Sequence, residues 1–455
     1  MKEKILEAIK KSKAAYTEIR IEFRQSTSVR YRGKNLEVAG GGTNAGGIVR
    51  CLADNGGWGI STFNATEDLL EQVEFANECA KSVKRENIEI TELPPVVDDI
   101  KHQMKQDFRN ISLKVKKDLV ASYNDILLAY NPLIKDTFVS YDDLFTDYYY
   151  ANSEGSFIHE ERPQVVVALS AMARKGSNVQ RGSDSVGKPA GFEVALGLEN
   201  QVKEAADRAV KLLDAETVKG GKYTVICNRD LAGVFIHEAF GHLSESDFLY
   251  ENPKAQEMMV MGRKFGREIL NVADDGSVPG LRGTHKYDDE GVPTRKNYLI
   301  REGKLVGRLH SRETSKKMNE QPTGNARAIS YLFQPIVRMT NTFIENGKSS
   351  FEDMISDIEL GVYACGSAGG QTMLENFSFS SEYAYMIRNG KIEEMVKDVV
   401  LGGNLFHTLT NIEAIGNDFK WIERGGGCGK NAQSPLPVTE GSPHIRICDV
   451  IMGGR

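Results

Sequence analysis

No run of apolar residues in this chain reaches the ~20 that a helix needs to cross a bilayer, so a membrane-spanning protein is not the reading. No block of basic residues stands out either. Lys and Arg number 57 against 63 Asp and Glu, a formal net charge of −6, which argues against nucleic acid as a partner. The opening stretch "MKEKILEAIKKSKAAY" lacks the apolar core and small-residue cleavage site of a secretory leader. It reads as an amphipathic helix with Ile5, Leu6 and Ile9 on one face, and a cytoplasmic location is the expectation. The six cysteines (Cys51, Cys79, Cys227, Cys365, Cys428, Cys448) show no C-x-x-C spacing and form no disulfide framework. In a reducing compartment most of them should be small buried apolar residues. What is present is ordinary for a soluble protein: 40% hydrophobic and 26% charged residues.

A length of 455 residues corresponds to two or three domains. The first segment reads as a helix, strands and a closing helix. "EIRIEFR" places Ile19, Ile21 and Phe23 on one face at period two. "GGGTNAGGIVRCLA" and "GWGISTF" continue as strands split by glycine turns. "TEDLLEQVEFANECAKSV" closes the unit as a helix, with Thr66 as N-cap and Leu69, Leu70 and Val73 buried. A proline-bearing linker, "ENIEITELPPVVDD", sets a boundary near residue 90. A second segment repeats the scheme and ends near residue 218, giving expected domains 1–90, 91–218 and 219–455. The third opens with the strand "KYTVICN" and a helix N-capped by Asn228, with Asp230 in its first turn. Strands and turns follow. They include two hairpin-like stretches, "YLIREGKLVG" (298–307) and "YMIRNGKIEE" (385–394), the second with an Asn-Gly turn. The expected class is α+β and multidomain, with strand-and-helix N-terminal domains and a C-terminal domain holding a large, mostly antiparallel sheet.

The stretch that points to chemistry is "IHEAFGH", residues 236–242. It resembles the H-E-x-x-H of zinc peptidases, where two histidines on one helix face bind the metal and the glutamate moves protons. Here the histidines, His237 and His242, are five residues apart. On a regular helix that separates them by roughly 140°. A shared ion therefore requires a local irregularity: either an i→i+5 hydrogen-bonded turn or a distortion at Gly241, whose missing side chain permits unusual dihedrals. Two neighbouring histidines on a helix are otherwise ordinary surface or core residues. His102, His159, His285, His310, His407 and His444 stand alone and read as structural. A third ligand has two candidates among glycines, Cys428 in "RGGGCGK" and Cys365 in "YACGSAGG", and loop composition does not decide between them. Glu245 and Asp247, just past His242, read either as partners orienting a ligand imidazole or as solvated helix-end charges, the second being the commoner case.

Downstream come "YDDEGVPT" (287–294), "PTGNAR" (322–327), "PIVRMTNTFI" (335–344), "EAIGNDF" (413–419) and "GGGCGKNAQSPLPV" (425–438). With "HEAFGH", this ordered set resembles the TldD/PmbA peptidases, once described as modulators of DNA gyrase, over essentially the whole chain. The resemblance implies a zinc-dependent peptidase acting on unfolded or flexible peptides, with Zn2+ held by His237, His242 and Cys428 and Glu238 as general base and acid. It thereby selects Cys428 over Cys365. All four residues are present, so the chain is similar to TldD-like rather than PmbA-like members. Family assemblies are dimers, which implies a homodimer or a heterodimer with a PmbA-like paralogue.

Two other classes of function compete. One is a non-catalytic binding or assembly subunit that retains the motif. The other is phosphate or nucleotide binding through "GGGTNAGG" (40–47), which lacks the Lys-Ser/Thr of a P-loop and leads into a strand. A cluster of β-turns is the favoured reading of that stretch.

Overall fold

The computed structural model describes residues 1–64, 68–83, 88–373 and 375–453. Thr66, expected as an N-cap, lies outside them. The chain is α+β, and no helix among the described residues is long and apolar enough to cross a membrane.

Helix α1 (Lys2–Lys10) buries Ile5 and Ile9. Strands β1 (Tyr16–Arg32), β2 (Asn35–Leu52) and β3 (Trp58–Phe63) follow, then helix α2 (Leu69–Ser82). Next come β4 (Val97–Ile100), α3 (Leu113–Tyr130), β5 (Ile134–Asn152), β6 (Phe157–Lys175), β7 (Asn178–Lys188) and α4 (Glu199–Asp214). These seven strands form one sheet in the order β3-β2-β1-β5-β6-β4, with β7 also paired to β6. The sheet therefore crosses the boundary expected near residue 90: β1 runs antiparallel to β5 from Glu18↔Asn152 to Arg32↔Phe138. The strands are long enough to carry two cores. At one end Ile19, Ile21 and Val49 pack under α1 and α2 around Ile5 and Val73. At the other, Val29, Tyr141 and Val167 pack under α3 and α4 around Val120, Leu127 and Val202.

The glycine-rich stretch 40–47 is strand, not the expected turn cluster. It pairs with β1 residue by residue from Ser28↔Gly40 to Ile21↔Gly47. Gly41, Gly46 and Gly47 serve close approach rather than chain reversal, while a Cβ on Gly40 or Gly42 would meet nothing within 4 Å. A Cβ on Gly46 would sit 2.3 Å from the Phe63 carbonyl oxygen and from the Tyr331 ring.

The other face of β1 is also buried, by charge. Arg50 reaches Glu18 at 2.6 Å and Glu290 at 3.3 Å, and Arg20 lies 3.4 Å from Asp289. The "YDDE" stretch thus seats the third segment on the first sheet through buried ion pairs.

β8 (Glu216–Thr217), just before the boundary expected at 219, already pairs with Val396 and Lys397 of the third segment, and β9 (Gly221–Cys227) follows. β9 lies in a ten-stranded, mostly antiparallel sheet, between Ile445–Gly453 on one side and Leu360–Cys365, its parallel neighbour, on the other. Helix α5 (Arg229–Ile236) follows immediately. Its N-cap is Asn228, whose side chain accepts from the Leu231 N–H at 2.9 Å, and Asp230 lies in the first turn, as expected. Leu231, Phe235 and Ile236 are buried, each stabilising by about 1.5–3 kcal/mol. Both hairpins are present, with positive φ at Glu302-Gly303 and at Asn389-Gly390.

Candidate metal centre

After α5 the backbone changes hydrogen-bonding pattern. Residues His237–Gly241 form one π-helical turn, in which the His242 N–H donates to the His237 carbonyl five residues back. This turn absorbs the extra residue of "HEAFGH" and returns His242 to the side of His237. The two imidazole rings stand 5.3 Å apart at 89°. Gly241 is not the source of the irregularity. It has ordinary right-handed dihedrals, φ −57° and ψ −54°. It is needed for closeness, since a Cβ there would meet Met339 Sδ at 2.0 Å.

Cys428 arrives from the far end of the chain. It opens a short hairpin, Cys428–Lys430 against Gln433–Leu436, whose turn is made by Asn431 and Ala432 at positive φ. The glycines before it approach neighbours closely: a Cβ on Gly425 would lie 2.5 Å from Val166 Cγ1, and on Gly427 2.7 Å from the Leu436 carbonyl. None of Gly425, Gly426 and Gly427 has positive φ, so close packing accounts for Gly425 and Gly427, while a Cβ on Gly426 would meet nothing within 4 Å. Two arginines fix the strand from below. Arg338, fully buried, donates to the Cys428 carbonyl at 2.8 Å, and Arg282 donates to the Gly426 carbonyl.

The result is a cluster of three. His237, His242 and Cys428 offer one ligand atom each, all within 4.8 Å of one another. Cys428 Sγ is 3.3 Å from His242 Nε2. Glu238, on the same turn, holds its carboxylate 3.9 Å from His242 Nε2 and remains partly exposed. Cys365 lies elsewhere, buried at the end of strand Leu360–Cys365 beside the Tyr363 carbonyl, where burial pushes its thiol up to about 12. The other histidines have ordinary partners. His444, for example, bonds Asp418 at 2.6 Å, and His310 bonds Glu320 at 3.0 Å.

The electrostatics of the three groups are mutual. Burial works to raise the Cys428 thiol, but the two imidazoles override it and hold it at about 4. Burial works against charge on His242, yet Glu245 and Cys428 lift it to about 11. His237 is lifted to about 9 against its burial by Cys428 and Glu440. A thiolate between two imidazoles is a soft, anionic donor set, and it fits zinc better than a hard cation. The buried His237 Nδ1 has no hydrogen-bond partner, with Glu440 Oε1 facing it at 3.6 Å.

Glu245 is not a solvated helix-end charge. It is 1% exposed, and its Oε2 lies 2.9 Å from His242 Nδ1. Lys430 and His242 hold its carboxyl at about 2 against the effect of burial. Asp247 bonds Lys430 rather than a histidine. Sequence reasoning missed Lys430, Arg338 and Glu440. Lys430 stands two residues past Cys428 inside a quoted motif, so it was within reach. Glu440 carries no signal, because only the packing of Gly233 on the strand Thr439–Ser442, with a Cβ 3.1 Å from Glu440 Cβ, brings it to the helix.

Sequence models of three consecutive PmbA/TldA metallopeptidase domains match the chain: domain 1 over residues 17–84, the central domain over 106–213 and the C-terminal domain over 220–454. The chain is 43% identical over 444 residues to a metalloprotease of Synechocystis sp., covering 97% of this chain and 96% of that protein. It is 30% identical over 426 residues to a zinc metalloprotease TldD homolog of Saccharolobus solfataricus, with 91% of each chain covered. The crystal structure of TldE from Thermococcus kodakarensis superposes with a TM-score of 0.80 at 19% identity, covering 99% of this chain and 100% of that one.

Proposed function

The chain belongs to the PmbA/TldD family of metallopeptidases, and from that membership we propose a zinc-dependent peptidase, with His237, His242 and Cys428 as ligands and Glu238 as the catalytic acid–base group. The observation that carries this reading is the meeting of three ligand atoms within 4.8 Å, with the Glu238 carboxylate beside them. When bound, zinc in such a site supplies a Lewis acid for the scissile carbonyl and makes water acidic enough to attack at neutral pH. Three protein ligands leave one position for chemistry.

The chain's own groups do the rest. The buried His237 and the half-buried His242 define the position of the site, and Cys428 brings a negative charge that tempers its acidity. Glu238 accepts a proton from the attacking water and returns it to the leaving amine. The family resemblance implies an unfolded or flexible peptide as substrate. A cavity of about 540 Å³ opens between the first sheet (Arg50, Trp58) and the third segment (Tyr250, Val337), with Asp247 and Lys430 in its wall. That is room for a few residues of extended chain, not for a folded surface. The resemblance further implies a dimer, of this chain or with a PmbA-like paralogue, which the mass of the native complex decides.

The test is Glu238→Gln. Cleavage of an unstructured peptide is expected to fall by about 10²–10⁴-fold with zinc content retained. Cleavage at the wild-type rate contradicts the role of Glu238, and a wild-type chain that loads zinc but cleaves no peptide leaves the assembly-subunit reading.

A further inference from the structure

Behind His242 runs a chain of charged groups that ends at Lys430. Lys430 lies on the same three-residue strand as Cys428 and is largely buried. An ammonium has three protons to donate, and three acceptors surround this one. They are Glu245 Oε2 at 3.0 Å, Asp247 Oδ1 at 2.7 Å and the Val337 carbonyl at 2.9 Å. Glu245 Oε2 is also the oxygen that lies 2.9 Å from His242 Nδ1. Asp247 uses its other oxygen to accept from the Val337 N–H at 3.1 Å. Three separate segments therefore meet at one nitrogen: the cysteine strand, the stretch leaving the histidine turn, and Ile336–Val337.

We propose that Lys430 is a positioning residue of the metal centre. It fixes Glu245 so that His242 donates Nδ1–H and turns Nε2 to Cys428, and it ties the cysteine strand to the histidine segment. The inference rests on the reading of His237, His242 and Cys428 as metal ligands. Its physical basis is the geometry of the two carboxylates. Glu245 and Asp247 converge on one ammonium, and without it they repel each other. Glu245 is then held by His242 alone, against that repulsion. A ligand imidazole whose far nitrogen is held by a carboxylate keeps one tautomer and one ring orientation, and loss of such a partner typically weakens metal binding 10–100-fold. A lysine that served stability alone would leave the geometry at the metal unchanged.

Cobalt(II) titration of the full chain, stripped with chelator, separates these cases. A thiolate ligand gives a near-ultraviolet charge-transfer band, and the visible bands report ligand geometry. Wild type is expected to bind one cobalt per chain with the thiolate band. Lys430→Met is expected to lose about 10–100-fold in affinity with altered visible bands. Glu245→Gln should do the same, and the double variant should lose no more than either alone, because both act through one atom. If Lys430→Met does not fold, Lys430→Gln carries the same expectation, since a neutral amide leaves the two carboxylates uncompensated. Wild-type affinity and spectrum in these variants overturn the role of Lys430 and leave the metal centre standing. A wild-type chain without a thiolate band overturns the metal centre and this inference with it.

Discussion

His237, His242 and Cys428 determine one another's charge, and this sets how the site responds to pH. In chelated protein at pH 7, Cys428, held at about 4, is a thiolate, while His237 at about 9 and His242 at about 11 are protonated. Metal loading must therefore displace two imidazole protons and none from sulfur. Affinity should rise steeply with pH up to about 9, the value for His237, because each released proton favours the loaded form at higher pH. Calorimetric titration in buffers of different ionisation enthalpy is expected to count about two protons at pH 7. A count of one or fewer contradicts the imidazolium–thiolate arrangement. At this scale the sequence was partly legible. His237, Glu238 and His242 announce themselves in seven letters, "IHEAFGH". Cys428 and Cys365 looked alike because both sit among glycines. Only the tertiary fold separates a thiol facing two imidazoles from one facing a backbone carbonyl. Glu245 stands in the sequence between a partner of the ligand imidazole and a solvated charge, because burial is not visible in a charged residue's spacing.

The decisive element is the π-helical turn. The five-residue histidine spacing required an irregular helix, and the structure supplies it between His237 and Gly241. Of the two routes considered, the dihedral freedom of Gly241 is not the one used. Its neighbour Met339 shows what the glycine does. Gly241→Ala is accordingly expected to cost about 1–3 kcal/mol through overpacking, measured by chemical denaturation. Shortening Met339 to Ala in the same chain should recover part of that loss, a coupling that a double-mutant cycle reads. A Gly241→Ala cost that Met339→Ala does not reduce would point back to backbone conformation. The Gly40–Gly47 stretch shows the opposite limit of sequence reading. Glycine marks turns and close approaches alike, and here only the neighbours Phe63 and Tyr331 reveal which applies.

At the scale of the molecule, alternation and amphipathicity gave the elements, and the α+β class follows from them. The pairing of β1 with β5 across the residue-90 linker was not legible, because a strand pattern does not name its partner. Nor was the buried face of β1, where Glu18 and Arg20 look like solvent-facing residues until Arg50, Asp289 and Glu290 meet them. Arg50→Met would leave Glu18 and Glu290 buried without their cation. The expected loss is about 3–5 kcal/mol in urea denaturation; a loss below about 1 kcal/mol, the scale of an exposed pair, would show that the seam does not hold the first sheet to the third segment. The site itself is a convergence within the third segment, where Arg338 and the Lys430–Glu245 pair bring Cys428 to His242, 186 residues earlier in the chain.

That convergence is the central claim, and anomalous diffraction at the zinc edge from crystals of the zinc-loaded chain tests it most directly. One peak is expected, bounded by His237, His242 and the Cys428 sulfur, with nitrogen ligands at ~2.0–2.1 Å and sulfur at ~2.3 Å. A peak that excludes Cys428, or one at a different set of residues, contradicts the account.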